Sequence, residues 1–336
     1  CSTDNFAIRP QQFVVTAPAL GNATLTGSPS AVAGSAFTLT ANAGVTAGYT
    51  GTPALNPSKV NDHLSTAIAA NTLSGTFLPG TGPSASGAAF KYLDVGNIKL
   101  LADAVLDTGF TSVDQVGDCV AGSTSNAAVA GKYGCNIGSA ASATLGRWYP
   151  SHYSFAGTLT PACGPGGFSY MDQDALGMNL VLKAHASTGG AASAADPVVS
   201  RYTTGYTNLA PVTLTGDNGG TAVALTRLAN PALPSMPNTA LWNAGVFQIN
   251  DTYSFSKLAN PDGPYDAFKL KAALADPDGS SLMTTPAPET NTSKLRYGRI
   301  QLQNAYGSEL LPLPVPLAVQ YWNGNWQTNS LDTCTS

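Results

Sequence analysis

The stretch FTLTANA, residues 37–43, alternates without a break: Phe37, Leu39 and Ala41 share one parity, Thr38, Thr40 and Asn42 the other. Successive side chains of a strand point to opposite faces, so this reads as a strand with an apolar inner face and a polar outer one. The same period recurs along the chain. GRIQLQNA (298–305) sets Ile300 and Leu302 against Arg299, Gln301 and Gln303, LVLKAHA (180–186) turns Lys183 and His185 outward, and AFKLKAAL (267–274) does the same with Lys269 and Lys271. Between the runs stand turn sequences: PDG at 261–263 and 277–279, DNGG at 217–220, NGN at 323–325. Many short alternating strands divided by such turns point to sandwich folds. The expected architecture is all-β: two immunoglobulin-like antiparallel β-sandwich domains in tandem, with long loops.

Composition agrees. Charged residues make up 10% of the 336 residues, against roughly 25% in ordinary soluble domains, so the surface must be polar but uncharged. All but two of the 19 acidic residues are aspartate, the exceptions being Glu289 and Glu309. Aspartate favours turns where glutamate favours helices, so helices should be scarce. The length suits about two domains. The first is placed at 1–145, with Phe90, Tyr92, Ile98 and Leu100 in its core, and the second at 146–336, opening on the aromatic stretch GRWYPSHYSF (146–155). A net charge of −4 without any lysine or arginine cluster excludes a nucleic-acid partner. No run of about 18 apolar residues is present to span a membrane. Nothing reads as a signal peptide, as expected of a mature or excised chain.

Five cysteines stand at 1, 119, 135, 163 and 334, without the C-x-x-C spacing or nearby histidines that zinc would want. Cys119 and Cys135 bracket a loop of small residues, CVAGSTSNAAVAGKYGC, that needs a staple to hold a shape, so they are paired; two buried thiols are the alternative. Among Cys1, Cys163 and Cys334 one is odd. Either it pairs beyond this segment, or Cys1 is the lipid-bearing first residue of a bacterial lipoprotein. The partner of Cys163 and of Cys334 stays open.

Near the C-terminus Pro312, Pro314 and Pro316 alternate with Leu313, Val315 and Leu317. In a strand these prolines would delete donors from one edge only, and Leu311, Leu313, Val315, Leu317 and Val319 would line a buried face. The expectation is an edge strand guarded against pairing with other chains.

DNFAIRPQQF (4–13), GRWYPSHYSF (146–155), CGPGGFSYMDQ (163–173), GPYDAFKLKAALADPDG (263–279) and the long stretch from RYGRIQLQ to NSLDTC (296–334) together resemble the MshQ-type proteins. These are large exported components associated with mannose-sensitive haemagglutinin pilus biogenesis. The resemblance is firmest after Gly146. It implies an extracellular, pilus-linked β protein, an internal piece of a longer chain or assembly, and it offers no catalytic motif.

The residues themselves supply no strong site. His63, His152 and His185 lie outside any H-E-x-x-H or G-x-S-x-G context, and Ser151 beside His152 would face the other way on a strand. The expectation for His152 is a surface or lightly packed side chain. Two glutamates are scant material for a glycosidase. Asp276 and Asp278 in DPDGS are weak calcium candidates, with NPDGPYD (260–266) beside them, though neither loop completes an EF-hand. Trp322 and Trp326 in YWNGNW form a candidate glycan-stacking platform, or else cap a core; Trp148, Tyr149 and Tyr153 invite the same two readings. The expected function is a non-enzymatic extracellular adhesion or structural module of a bacterial type IV (MSHA-type) pilus or cell surface, without cofactor. Its partners would be pilus or other surface proteins, or surface glycans. The alternatives are a carbohydrate-binding module and a secreted hydrolase.

Overall fold

A computed structural model describes residues 8–21, 24–112, 117–164 and 167–335. Cys1, with its lipidation alternative, lies outside them. The described residues form strands, loops and three short 3-10 turns, Pro57–Lys59, Gly109–Ser112 and Leu225–Arg227, with no α-helix among them. The chain is all-β. Among the described residues no helix is long and apolar enough to cross a membrane.

Two compact units emerge, each assembled from separated segments. The first holds residues 1–152, 184–208 and 243–245; the second holds 153–183, 209–242 and 246–336.

The first unit is a sandwich of two four-stranded sheets. One runs Val14–Thr16, Ala36–Asn42, Ser84–Tyr92, Leu73–Ser74; the other runs Ala31–Val32, Leu145–Tyr149, Gly96–Leu100, Val60–Asp62. Alternation makes the packing: Phe37, Leu39 and Ala41 are all buried. The sheets close on Trp148, whose indole meets Phe37 at 5.1 Å and Tyr92 at 5.0 Å. Phe90, Tyr92, Ile98 and Leu100 are core residues, none more than 1% exposed.

The second unit has one sheet ordered Leu228–Ala229, Val246–Phe255, Leu176–His185, His152–Thr160, Ser281–Leu282. Its second sheet is ordered Phe168–Tyr170, Ser293–Arg296, Tyr265–Leu274, Val212–Asn218, Thr221–Val223. Phe255 and Phe268 meet across the layers at 5.6 Å. The DNGG sequence does what its chemistry dictates: Gly219 and Gly220 both take positive φ, 60° and 96°, in a two-residue hairpin turn between Asn218 and Thr221. Antiparallel pairing has exceptions at two sheet edges, where Ala31–Val32 lies parallel to Leu145–Tyr149 and Phe168–Tyr170 lies parallel to Ser293–Arg296.

Three local expectations fail. His185 is not on an outer face but fully buried, and His152 is buried too. Gly298–Leu302 is a strand, but it buries neither face, leaving Ile300 59% and Leu302 67% exposed. The proline run is not an edge strand. Gly298–Leu302 pairs directly with Leu317–Trp322, so residues 303–316 form the long connection of a hairpin, outside any sheet. Leu311, Leu313, Val315 and Leu317 are exposed rather than packed. Parity identifies an extended segment but cannot supply it with a neighbour, and here the flanking strands have already taken each other. The prolines lack the N–H groups with which a strand would compete for a partner.

Candidate functional site

The C-terminal hairpin turns at Asn323–Asn325, with Gly324 at φ 74°, which sets Trp322 opposite Trp326. Both indoles are half-buried and stand 5.5 Å apart at 70°. They are therefore not coplanar. One face of Trp326 is covered by the Arg299 guanidinium at 3.9 Å, which Arg299 Nε fixes by donating to Gln320 Oε1 at 2.9 Å; Arg296 covers Tyr321 in the same way at 4.0 Å. Cations hold the aromatic set on two sides, Arg299 from its own sheet and Arg296 from the end of Ser293–Arg296 in the neighbouring one.

Asp276 accepts from the Ser280 amide at 2.8 Å and so closes its own turn, while burial pushes its carboxyl above the usual range. In the other aspartate loop, Asp262 is committed to the buried Arg227 at 2.6 Å. Arg227 lies over Phe255 at 4.2 Å and also donates to Tyr265 Oη and to the Ser256 carbonyl. Among the described residues no group of three or more His, Cys, Asp or Glu converges as a metal site would.

The first unit contains two charged clusters that single-residue reading did not assemble. Asp62 accepts the Leu64 and Thr66 amides and pairs with Arg201 Nε at 2.6 Å. Asp94 accepts from Ser200 Oγ and from the Val95 and Arg201 amides. These carboxylates spend their acceptor positions holding loops. His152 and His185 stack at 5.0 Å and 11°, each bound to the 193–196 loop: His152 Nε2 lies 3.0 Å from the Ser193 carbonyl, and His185 Nδ1 lies 2.7 Å from that of Asp196.

Cys119 is joined to Cys135, and Cys163 to Cys334. The first disulfide closes a loop that forms backbone pairs of its own, from Val120 to Tyr133 and reciprocally between Val129 and Lys132. Its tip takes positive φ at Ala130 and Gly131, so the small residues there serve a hairpin turn.

That loop walls a cavity of the first unit. Two adjoining clefts, of about 640 and 560 Å³, share Ile8 and Phe110. The larger is floored by Tyr49 and Asp107, both buried, with Tyr49 Oη donating to Asp107 Oδ2 at 2.7 Å. Asp107 Oδ1 accepts the Gly109 amide at 2.7 Å. Burial first, then the Asp107 bond, holds the Tyr49 hydroxyl protonated well above its ordinary range. Phe13 braces the ring from below at 5.3 Å. Gly51 has to be glycine, because a Cβ there would run into Asp107 Oδ2 and Tyr49 Oη. In the second unit a separate cleft of about 550 Å³ is lined chiefly by apolar side chains such as Leu214, Leu225, Leu233 and Met236.

Together these features define a disulfide-stapled, charge-poor, all-β protein with paired clefts among the loops of its first unit. Two family models match the chain: DUF6701, third domain, over residues 121–295, and DUF6701, fourth domain, over residues 296–336. The chain belongs to the DUF6701 family. Comparison with curated proteins and with solved structures finds no match. The clefts escaped sequence reading because VTAGYTGTPA (45–54) reads only as a turn-rich loop; its one visible signal is a tyrosine among threonines and glycines.

Proposed function

We propose that the chain is a non-enzymatic module of an extracellular bacterial surface protein, MshQ-like and associated with an MSHA-type pilus, where it serves structure and adhesion. Support comes from the matching stretches concentrated after Gly146, from two disulfides of the kind oxidising compartments permit, and from a surface poor in charge.

The observation that carries the reading is the C-terminal sheet. Its outer strands Gly298–Leu302 and Trp326–Thr328 each pair on one side only, the strap beside them exposes Leu310, Leu311, Leu313 and Val315, and Leu317 at the start of the central strand is exposed as well. So many large apolar side chains exposed within one short segment mark a place where another protein sits. Its partners are pilus or other cell-surface proteins.

An in-frame deletion of the gene tests this. Piliation and adherence to host or abiotic surfaces should both fall and return on complementation. Unchanged piliation and unchanged adherence would sink the proposal.

A further inference from the structure

We infer that the paired clefts of the first unit form a groove that binds a neutral oligosaccharide. This deepens the adhesive reading by naming its ligand class, and rests on that reading only for its biological purpose.

Size and shape favour an extended ligand. Each cleft has the volume of an ordinary small-molecule pocket, and their shared wall at Ile8 and Phe110 joins them side by side. An elongated groove suits a chain of rings better than one compact ligand.

Its chemistry is next. The larger cleft carries Thr46, Thr50 and Thr52 on the 45–54 loop, with Thr50 and Thr52 exposed. The smaller carries Gln11 and Asn126, both exposed, and the ring of Tyr133, which is 56% exposed. Hydroxyls and amides that both donate and accept match sugar hydroxyls, while a flat exposed ring offers an apolar face to the C–H face of a pyranose. The disulfide and its internal backbone pairs hold Tyr133 and Asn126 in place before any ligand arrives, which lowers the ordering cost of binding.

Charge decides between ligand classes. Arg9 is the groove's only cation among the described lining residues, and it is already engaged. Its Nη2 donates to Asn126 Oδ1 at 2.7 Å and to the Ser125 carbonyl, its Nη1 to the Pro10 and Gln11 carbonyls. The carboxylates of Asp107 and of the exposed Asp118 meanwhile disfavour an anion. An acidic glycan is thus the wrong ligand. The leucine- and methionine-lined cleft of the second unit shows what an apolar side-chain pocket looks like in this protein, and this groove differs from it in its threonines and amides. The non-coplanar, arginine-covered pair Trp322 and Trp326 offers no competing platform.

The test uses the whole 336-residue chain on a printed array of neutral oligosaccharides with sialylated and sulfated counterparts and a set of apolar peptides, hits being repeated by calorimetric titration. Neutral glycans should bind. Tyr133→Ala and Thr50→Val, both at exposed positions and checked for native near-UV dichroism, should each weaken the best hit by tenfold or more, while Trp322→Ala leaves it within twofold. No glycan bound, binding confined to acidic glycans or to peptides, or loss with Trp322→Ala rather than Tyr133→Ala, overturns the inference. A deletion strain that loses its pili while the purified chain binds no glycan overturns the groove and leaves the surface-module reading standing. Groove-dependent binding beside a deletion strain with normal piliation and adherence supports the groove and removes that reading instead.

Discussion

At the scale of single residues, the second unit depends on Arg227. Its guanidinium is buried between aromatic rings and pairs with Asp262 at 2.6 Å. Removing one partner strands the other charge in a poorly solvated site, so Asp262→Asn should cost about 3 kcal/mol of unfolding free energy, read from urea midpoints. A second expectation concerns alkaline pH. Tyr49, Tyr92, Tyr170, Tyr253 and Tyr265 all hold their protons above the ordinary tyrosine value, burial being the first cause in each. The unfolded chain releases those protons near pH 10 while the folded chain keeps them. Stability from these groups is therefore whole below pH 10 and lost as pH rises beyond it. The urea midpoint should hold between pH 8 and 9 and drop clearly by pH 11; a flat profile would contradict the burial. His63 acts at the other end, because burial lowers its pKa. Its contribution is present above about pH 6.5 and lost as pH falls through that value and below. Sequence reading found the core residues Phe90 and Tyr92 easily, since parity states which face is apolar. It failed for His185 because parity cannot tell a polar outer face from a polar residue buried against a second histidine 33 positions earlier.

At the scale of elements, two loops behave in opposite ways. The loop closed by Cys119 and Cys135, a sequence separation of 16, is stapled and internally paired. The double variant Cys119→Ser, Cys135→Ser should lose about 3 kcal/mol in the chain-entropy account, and glycan binding with it. Non-reducing peptide mapping of exported protein should recover the two cysteines linked. The strap of residues 303–316 has almost no backbone partners, Gln303 to Pro316 and Leu311 to Ser308 being the bonds among its described residues. Its stiffness comes from Pro312, Pro314 and Pro316, whose fixed φ suits a polyproline II path. Replacing all three by threonine should leave the thermal midpoint within about 1 °C but speed proteolytic cleavage within the strap several-fold. A fall in midpoint instead would mean that the prolines help hold the folded unit. Strands and turns were legible here because each is written locally, in parity and in Asp-Gly or Asn-Gly. Which strand neighbours which is not local, and the proline run shows the consequence: its extended form was readable, its lack of a partner was not.

At the scale of the whole molecule, both compact units gather segments that are distant in sequence, the first taking residues 184–208 and 243–245 in addition to 1–152. Charges such as Asp62 and Arg201 meet only through that return, so no linear motif announces them. The groove was hidden for the same reason, being assembled from the 8–11, 45–54, 107–110 and 118–134 segments. Whether the chain is an oxidised surface module, as proposed, can be read by shearing intact bacteria that express the gene from its own locus and mapping the released protein without reduction. The chain should appear in the sheared fraction, with Cys119 linked to Cys135 and Cys163 linked to Cys334. A chain retained inside the cells with those four cysteines as free thiols would contradict it.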